Sequence, residues 1–139
     1  MERSLVLIKP DAIERGLAGT IITRLEQPNL KIVAIRMLQM DKALAGQHYA
    51  IHQNEPFFND LVSYISSAPI MALVFQGGKA VEKIRKVMGA TDPARAEAGT
   101  IRGDFGLDIG RNSVHGSDSV ATAEKEIKLF FAEDEIFGY

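Results

Sequence analysis

The sequence predicts an α+β sandwich of the ferredoxin-like kind, a four-stranded antiparallel sheet packed with helices. Three observations predict it. Short apolar runs, chiefly residues 4–8 (SLVLI) and 70–75 (IMALVF), end in turn residues and are too short for buried helices. Stretches with apolar residues at helical spacing separate these runs. The order of elements is strand–helix–strand, twice, joined by two helices. A doubly wound parallel sheet is the alternative, although four strands with a helical insertion would be a small example of it.

Each element has a local cause. Residues 4–8 read as a buried strand stopped by the turn Lys9-Pro10-Asp11. Residues 17–27 read as a helix with Ile21, Ile22 and Leu25 on one side, ended by Pro28-Asn29. Residues 30–40, rich in Ile, Val and Leu, read as a long strand. Asp41 then caps a helical stretch carrying Leu44, His48, Tyr49 and Ile51. Pro56 opens a further helix in which Phe57, Phe58, Leu61, Val62 and Ile65 share a face, until Ser66-Ser67-Ala68-Pro69 stops it. Residues 70–75 form the second fully apolar strand, and Gly77-Gly78 leads into a helix with Ala80, Val81, Ile84 and Val87. Residues 89–99 are a polar loop containing Pro93, and residues 100–109 are the expected fourth strand. Residues 111–131 then run from an irregular polar loop into an amphipathic helix. In that helix Val120, Ala123, Ile127, Phe130 and Phe131 fall on one face, and Glu126 borders the stripe.

Composition sets the outer bounds. At 139 residues the chain is expected to form one domain, residues 1–139, with a core of its own. A hydrophobic content of 46% and a charged content of 24% belong to an ordinary globular protein. The net charge of -2 gives no electrostatic case for non-specific nucleic-acid binding. Without cysteine there is no disulfide framework and no thiolate metal site. The apolar run before Lys9 is too short for a signal-peptide core or a membrane span, so no membrane association is expected and the expected compartment is the cytoplasm.

The stretch beginning at residue 111 holds the strongest chemical signal. His115 sits in the expected loop, followed by Gly116, Ser117, Asp118 and Ser119; glycine allows backbone angles closed to other residues, and the next three are good helix caps. An imidazole next to bare helix N–H donors is well placed beside an anion such as phosphate. Two familiar phosphate loops are absent: Gly77-Gly78-Lys79-Ala80 lacks the first Gly and the final Ser or Thr of a P-loop, and Gly103, Gly106 and Gly110 do not fit Gly-x-Gly-x-x-Gly. His48 and His52, four residues apart with Glu55 nearby, are a competing metal candidate. No Glu follows His48, so the zinc-protease arrangement is missing. Lys9, Arg85 and Arg102 sit at the ends of apolar runs or on a helix otherwise committed to packing; taken alone each reads as a solvated surface charge, and as a group they are candidates to neutralise phosphate oxygens.

Asn112-Ser113-Val114-His115-Gly116-Ser117-Asp118 resembles the signature of the nucleoside diphosphate kinase family, Asn-x-x-His-Gly-Ser-Asp, with five of seven positions fixed. Lys9-Pro10-Asp11, Pro56-Phe57-Phe58, the Gly89–Pro93 loop and Gly99-Thr100-Ile101-Arg102 resemble further segments of the same family, and the likeness covers nearly the whole chain. The resemblance implies the ferredoxin-like fold and a phosphoryl transfer in which His115 carries the group. It implies that Lys9, Arg85, Thr91, Arg102 and Asn112 hold phosphates and sugar hydroxyls, and that Tyr49 hydrogen-bonds near Lys9. It places Phe57 as one wall for the base, although helical spacing with Leu61 alone would put that ring in the core. By the same resemblance Ser117 lies beside His115, and Glu126 accepts a hydrogen bond from the ring, leaving a lone pair on Nδ1 for phosphorus. ATP and other nucleoside tri- and diphosphates are the implied ligands, with Mg²⁺ carried by their phosphates and a homo-oligomer, hexamer or tetramer, as the assembly. The sequence departs from common family patterns at Pro28-Asn29, Glu55 and Ala68, none of which is assigned to the chemistry.

Overall fold

The run SLVLI becomes the centre of the molecule because both faces of its strand are covered. In the computed structural model, which describes residues 1–139, β1 (Glu2–Ile8) pairs antiparallel with β3 (Ile70–Gly77) on one side and β4 (Val114–Gly116) on the other. β2 (Lys31–Leu38) adds antiparallel to β3, giving the order β2-β3-β1-β4. Side chains alternate between faces along a strand. Leu5 and Leu7 therefore enter one core with Ala72, Val74, Ile65 and Phe130. Val6 and Ile8 enter the other with Leu73, Phe75, Ile21 and Ile84. A strand buried on both faces is a continuous apolar run, and each of these large side chains contributes about 1.5–3 kcal/mol by leaving water.

The helices cover the two faces. They are α1 (Pro10–Glu14), α2 (Ala18–Glu26), α3 (Lys42–His48), α4 (Phe58–Ile65), α5 (Ala80–Met88), α6 (Ile101–Phe105) and α7 (Val120–Phe130). Asp41 caps α3, its carboxylate accepting from the Leu44 N–H at 2.7 Å, and Ser119 caps α7, accepting from the Thr122 N–H at 3.0 Å. α7 buries Ala123, Glu126, Ile127 and Phe130, whereas Val120, expected on the same face, is half exposed at the first turn. None of these helices is long and apolar enough to cross a membrane.

The fourth strand is not where the sequence pattern placed it. Residues 100–109 contain α6 instead, because Thr100 caps a helical turn by accepting from the Gly103 N–H at 3.0 Å. A side chain at position 103 would come within 2.1 Å of the Glu97 carbonyl, so the glycine that weakens a strand is what lets this turn close. Ile101 and Phe105, spaced four apart, both pack into the core beside α5. The actual β4 is the three-residue segment Val114–Gly116, so His115 stands on a strand rather than in a loop. His115 lies opposite Leu7, and the ladder is extended by Lys9 N–H to Ser113 O at 2.9 Å and Ser117 N–H to Leu5 O at 3.2 Å.

Candidate active site

Two strands and one helix bring the chemistry together. β1 ends at Ile8 and delivers Lys9; β4 delivers His115; α7 passes behind both and delivers Glu126. Gly116 serves a different purpose here from the one its sequence suggested. Its φ is not positive, but a Cβ would meet the Met88 sulfur at 2.8 Å, so glycine lets β4 lie tightly on α5. The positive φ falls on Ser113 instead, at 75°. That turn, uncommon for a residue with a side chain, faces Asn112 toward Lys9.

The His115 ring is held from behind. Its Nε2 lies 2.9 Å from Glu126 Oε2, and the other carboxylate oxygen accepts from Ser117 Oγ at 2.6 Å. Ser117 in turn accepts from the Leu5 N–H at 3.3 Å, which ties the triad to the central strand. Burial alone would raise the Glu126 carboxyl, but hydrogen bonds and charge from His115, with help from the Ser117 hydroxyl and His48, outweigh it and hold it below the usual range. Glu126 is therefore an acceptor through both oxygens, and the proton on the shared contact belongs to Nε2 of His115. In the neutral ring that leaves the lone pair on Nδ1.

Cations and amides line the space in front of the ring. His115 opens on a cleft of about 1030 Å³, with Lys9, Arg85, Thr91, Arg102 and Asn112 in its wall. Lys9 donates to Asn112 Oδ1 at 2.8 Å and reaches the Gly110 carbonyl at 3.5 Å, while Asn112 Nδ2 donates to the Thr91 carbonyl at 2.9 Å. Burial, then the Arg102 charge, lowers Lys9 to about 8. Arg102 donates to the carbonyls of Gly89 (3.0 Å) and Val114 (2.9 Å), and burial with the neighbouring Arg85 lowers it to about 10. Its buried Nε–H has no partner. An unpaired guanidinium donor and a partly desolvated ammonium beside one imidazole mark a pocket for an anion.

Not every expected contact forms. Tyr49 lines the cleft, and burial followed by the Glu126 charge pushes its hydroxyl up to about 12, but the partners of Lys9 are Asn112 and Gly110. Phe57 is 44% exposed in the cleft wall, so the core position suggested by its helical spacing is not the one it takes. α3 ends at His48, which separates His48 from His52. His52 sits in a following tight turn in the cleft wall, its ring 5.5 Å from that of Phe57. His48 instead buries its ring 4.6 Å from that of His115. The His48–His52–Glu55 grouping is thus not assembled. His48 is the residue beside the site that sequence reasoning missed in this position, since only the tertiary approach of α3 to β4 makes the contact.

The ring, its carboxylate brace and the surrounding cations define a group-transfer enzyme for phosphorylated ligands. Comparison with known proteins agrees. The family model described as nucleoside diphosphate kinase matches residues 2–136. The chain is 59% identical to a nucleoside diphosphate kinase of Dehalococcoides mccartyi over its whole length and 98% of the relative. It is 57% identical to that of Methanothermobacter thermautotrophicus over its whole length and 93% of the relative. Among solved structures, a halophilic nucleoside diphosphate kinase from Halobacterium salinarum in complex with CDP superposes with TM-score 0.97 at 48% identity, covering 99% of this chain and 92% of that one. The Aquifex aeolicus enzyme gives TM-score 0.95 at 38% identity, covering 98% and 99%. The chain belongs to the nucleoside diphosphate kinase family, a family of phosphotransferases.

Proposed function

We propose that this chain transfers the γ-phosphoryl group of a nucleoside triphosphate to a nucleoside diphosphate through a phosphohistidine at His115. The observation that carries the reading is the 2.9 Å contact from His115 Nε2 to Glu126, set behind a cleft lined by Lys9, Arg85 and Arg102. Nδ1 attacks the γ-phosphorus, the bond to the bridging oxygen breaks, and the diphosphate leaves. A β-phosphate oxygen of the second diphosphate then attacks the same phosphorus and releases the ring. Glu126 keeps the proton of the ring on Nε2 and stabilises the positive charge that develops as Nδ1 bonds to phosphorus. Lys9 and Arg102 neutralise the transferring oxygens, with Arg85, Thr91 and Asn112 on the remaining phosphates and the sugar. Tyr49 lines the same cleft as Lys9, and Phe57 offers a face to the base.

Mg²⁺ fits this reading as a passenger of the nucleotide. Asp11 is engaged by Tyr64 and Ser113, Glu126 by Ser117 and His115, and the cleft carboxylates Asp60, Asp108 and Asp118 form no three-ligand group. A hard ion would then be held by the phosphates of the nucleotide, where it would supply neutralisation of phosphoryl charge. We further assign residues 1–139 to one domain acting in the cytoplasm as a homo-oligomer, hexamer or tetramer. The exposed Ile35 and Met37 on the edge strand β2, apolar surface that an assembly would cover, support the oligomer. Steady-state kinetics test the mechanism: double-displacement transfer gives parallel double-reciprocal lines, and intersecting lines would show direct transfer instead.

A further inference from the structure

The His48 side chain is 1% exposed, and neither of its ring nitrogens has a hydrogen-bond partner. Polar atoms buried this deeply are normally paired, so the ring is unusual among buried groups. It is fixed edge-on against Tyr49 (4.7 Å), His115 (4.6 Å) and Phe130 (5.8 Å) between ring centroids. Its Nδ1 points toward Glu126 Oε2 at 3.5 Å, too long for a hydrogen bond of useful strength. The same oxygen is 2.9 Å from His115 Nε2. One oxygen and two imidazole nitrogens on three different elements therefore converge within 4.8 Å of one another.

We infer that His48, His115 and Glu126 form a binding site for a single borderline divalent transition ion, with Zn²⁺ as the type case. A tetrahedral ion with bonds of ~2.0–2.1 Å keeps neighbouring ligands ~3.3 Å apart. The two contacts to Glu126 Oε2, 2.9 and 3.5 Å, bracket that spacing, and the three ligand atoms, all within 4.8 Å of one another, draw closer as the ion binds. Both ring nitrogens of His48 are buried and without hydrogen-bond partners, so neither is committed to another contact. Ser117, bonded to the second oxygen of Glu126, orients the carboxylate as an outer partner of a metal site does. Two imidazoles and one carboxylate suit Zn²⁺ and not Mg²⁺, which demands oxygen ligands. His115, 24% exposed, gives the ion its path from the cleft and leaves a fourth position open there.

Occupation of this site inhibits phosphoryl transfer, a consequence that rests on the His115 reading above. An ion on Nε2 displaces the proton held there, and in the neutral ring that proton moves to Nδ1. No proton is lost, but the lone pair that attacks phosphorus is gone.

Titration calorimetry of ZnCl₂ into the nucleotide-free full-length protein tests the binding. We expect one ion per chain, unchanged in His52→Gln, and weaker in His48→Gln and Glu126→Gln by at least about 10–100-fold, the loss typical of removing even an outer partner. X-ray absorption on the zinc-loaded wild type, which needs no variant to fold, should show two imidazoles and a carboxylate oxygen. Equal affinity in wild type and His48→Gln, or a shell with fewer than two imidazoles, would overturn the site. Zinc should also prevent the ATP-dependent mass increase of the wild type. A protein that binds zinc with these ligands and is still phosphorylated contradicts the inhibition. A protein that takes up no phosphoryl group even without zinc sinks the His115 reading alone, and the titration then judges the metal site by itself.

Discussion

At the floor of the cleft, Lys9, Asn112, Ser117 and Glu126 are buried and bonded to one another or to the sheet, whereas at its mouth Phe57 is 44% exposed and meets the ring of His52. The floor is held by strands β1 and β4 and by α7, elements that share the central core. The mouth hangs on the turns before α4. Under the proposed function, rigidity is thus concentrated where charge must be matched to a phosphoryl group, and latitude where a base is to be received. A site built this way is exacting about phosphate and permissive about the base.

The sharpest test of the floor is the removal of a buried charge without removal of volume. Lys9→Met and Arg102→Met should each lower turnover by roughly 10²–10³, the range for losing one preorganised donor. Because burial already disfavours the Lys9 ammonium, Lys9→Met should unfold at a temperature equal to or above that of the wild type. Full activity in both variants would dissolve the contrast between floor and mouth. Thermal unfolding with retained turnover would show that Lys9 is structural.

Titration of Lys9 sharpens the same point. Its folded value, about 8, lies below its ordinary 10.5, so between these limits the unfolded chain binds more protons and stability rises with pH. Affinity for a nucleoside triphosphate should move the opposite way and fall as pH climbs through about 8, when the free protein loses that cation. Lys9→Arg should shift this loss upward; a profile identical to that of the wild type would assign it to another group. At the acid end the sign is simple. His48 is held at about 3 against an ordinary 6.5, so its contribution to stability is complete above 6.5 and declines as pH falls toward 3. His48→Gln should flatten that limb.

Ser117→Ala lies between floor and scaffold. It leaves an oxygen of Glu126 and the Leu5 N–H without their partner and should cost about 1–3 kcal/mol in urea unfolding. An unchanged midpoint would mean that water replaces the hydroxyl. At the mouth, Phe57→Ala should weaken nucleotide binding by about 1–3 kcal/mol, alike for all bases, since every base has a face to stack. A loss confined to one base would make the mouth a reader rather than a platform.

The same contrast explains what was legible in the sequence. Strands β1 and β3 announce themselves because both faces are buried, and Asp41 and Ser119 cap helices by local chemistry that needs no tertiary knowledge. β4 does not, because three residues with one apolar side chain carry no periodicity, and its pairing with β1 is a long-range fact. α6 reads as a strand in the sequence because five residues give too few repeats to separate a period of 3.6 from one of 2. The residues of the cleft are legible through motif resemblance rather than through pattern. The placement of His48 had no signal at all, since its ring meets His115 only after α3 folds against α7 and β4.

The central claim is that the floor exists to present Nδ1 of His115 to phosphorus. Intact mass spectrometry of the protein after brief incubation with ATP, quenched at alkaline pH, measures it directly. The wild type should gain one phosphoryl group per chain, lost on mild acid treatment and restored to the starting mass by excess nucleoside diphosphate. Folded His115→Ala should gain none, and Glu126→Gln should gain it slowly. A phosphoryl group that survives acid, or one that still appears on His115→Ala, would place the chemistry on another residue and contradict the account.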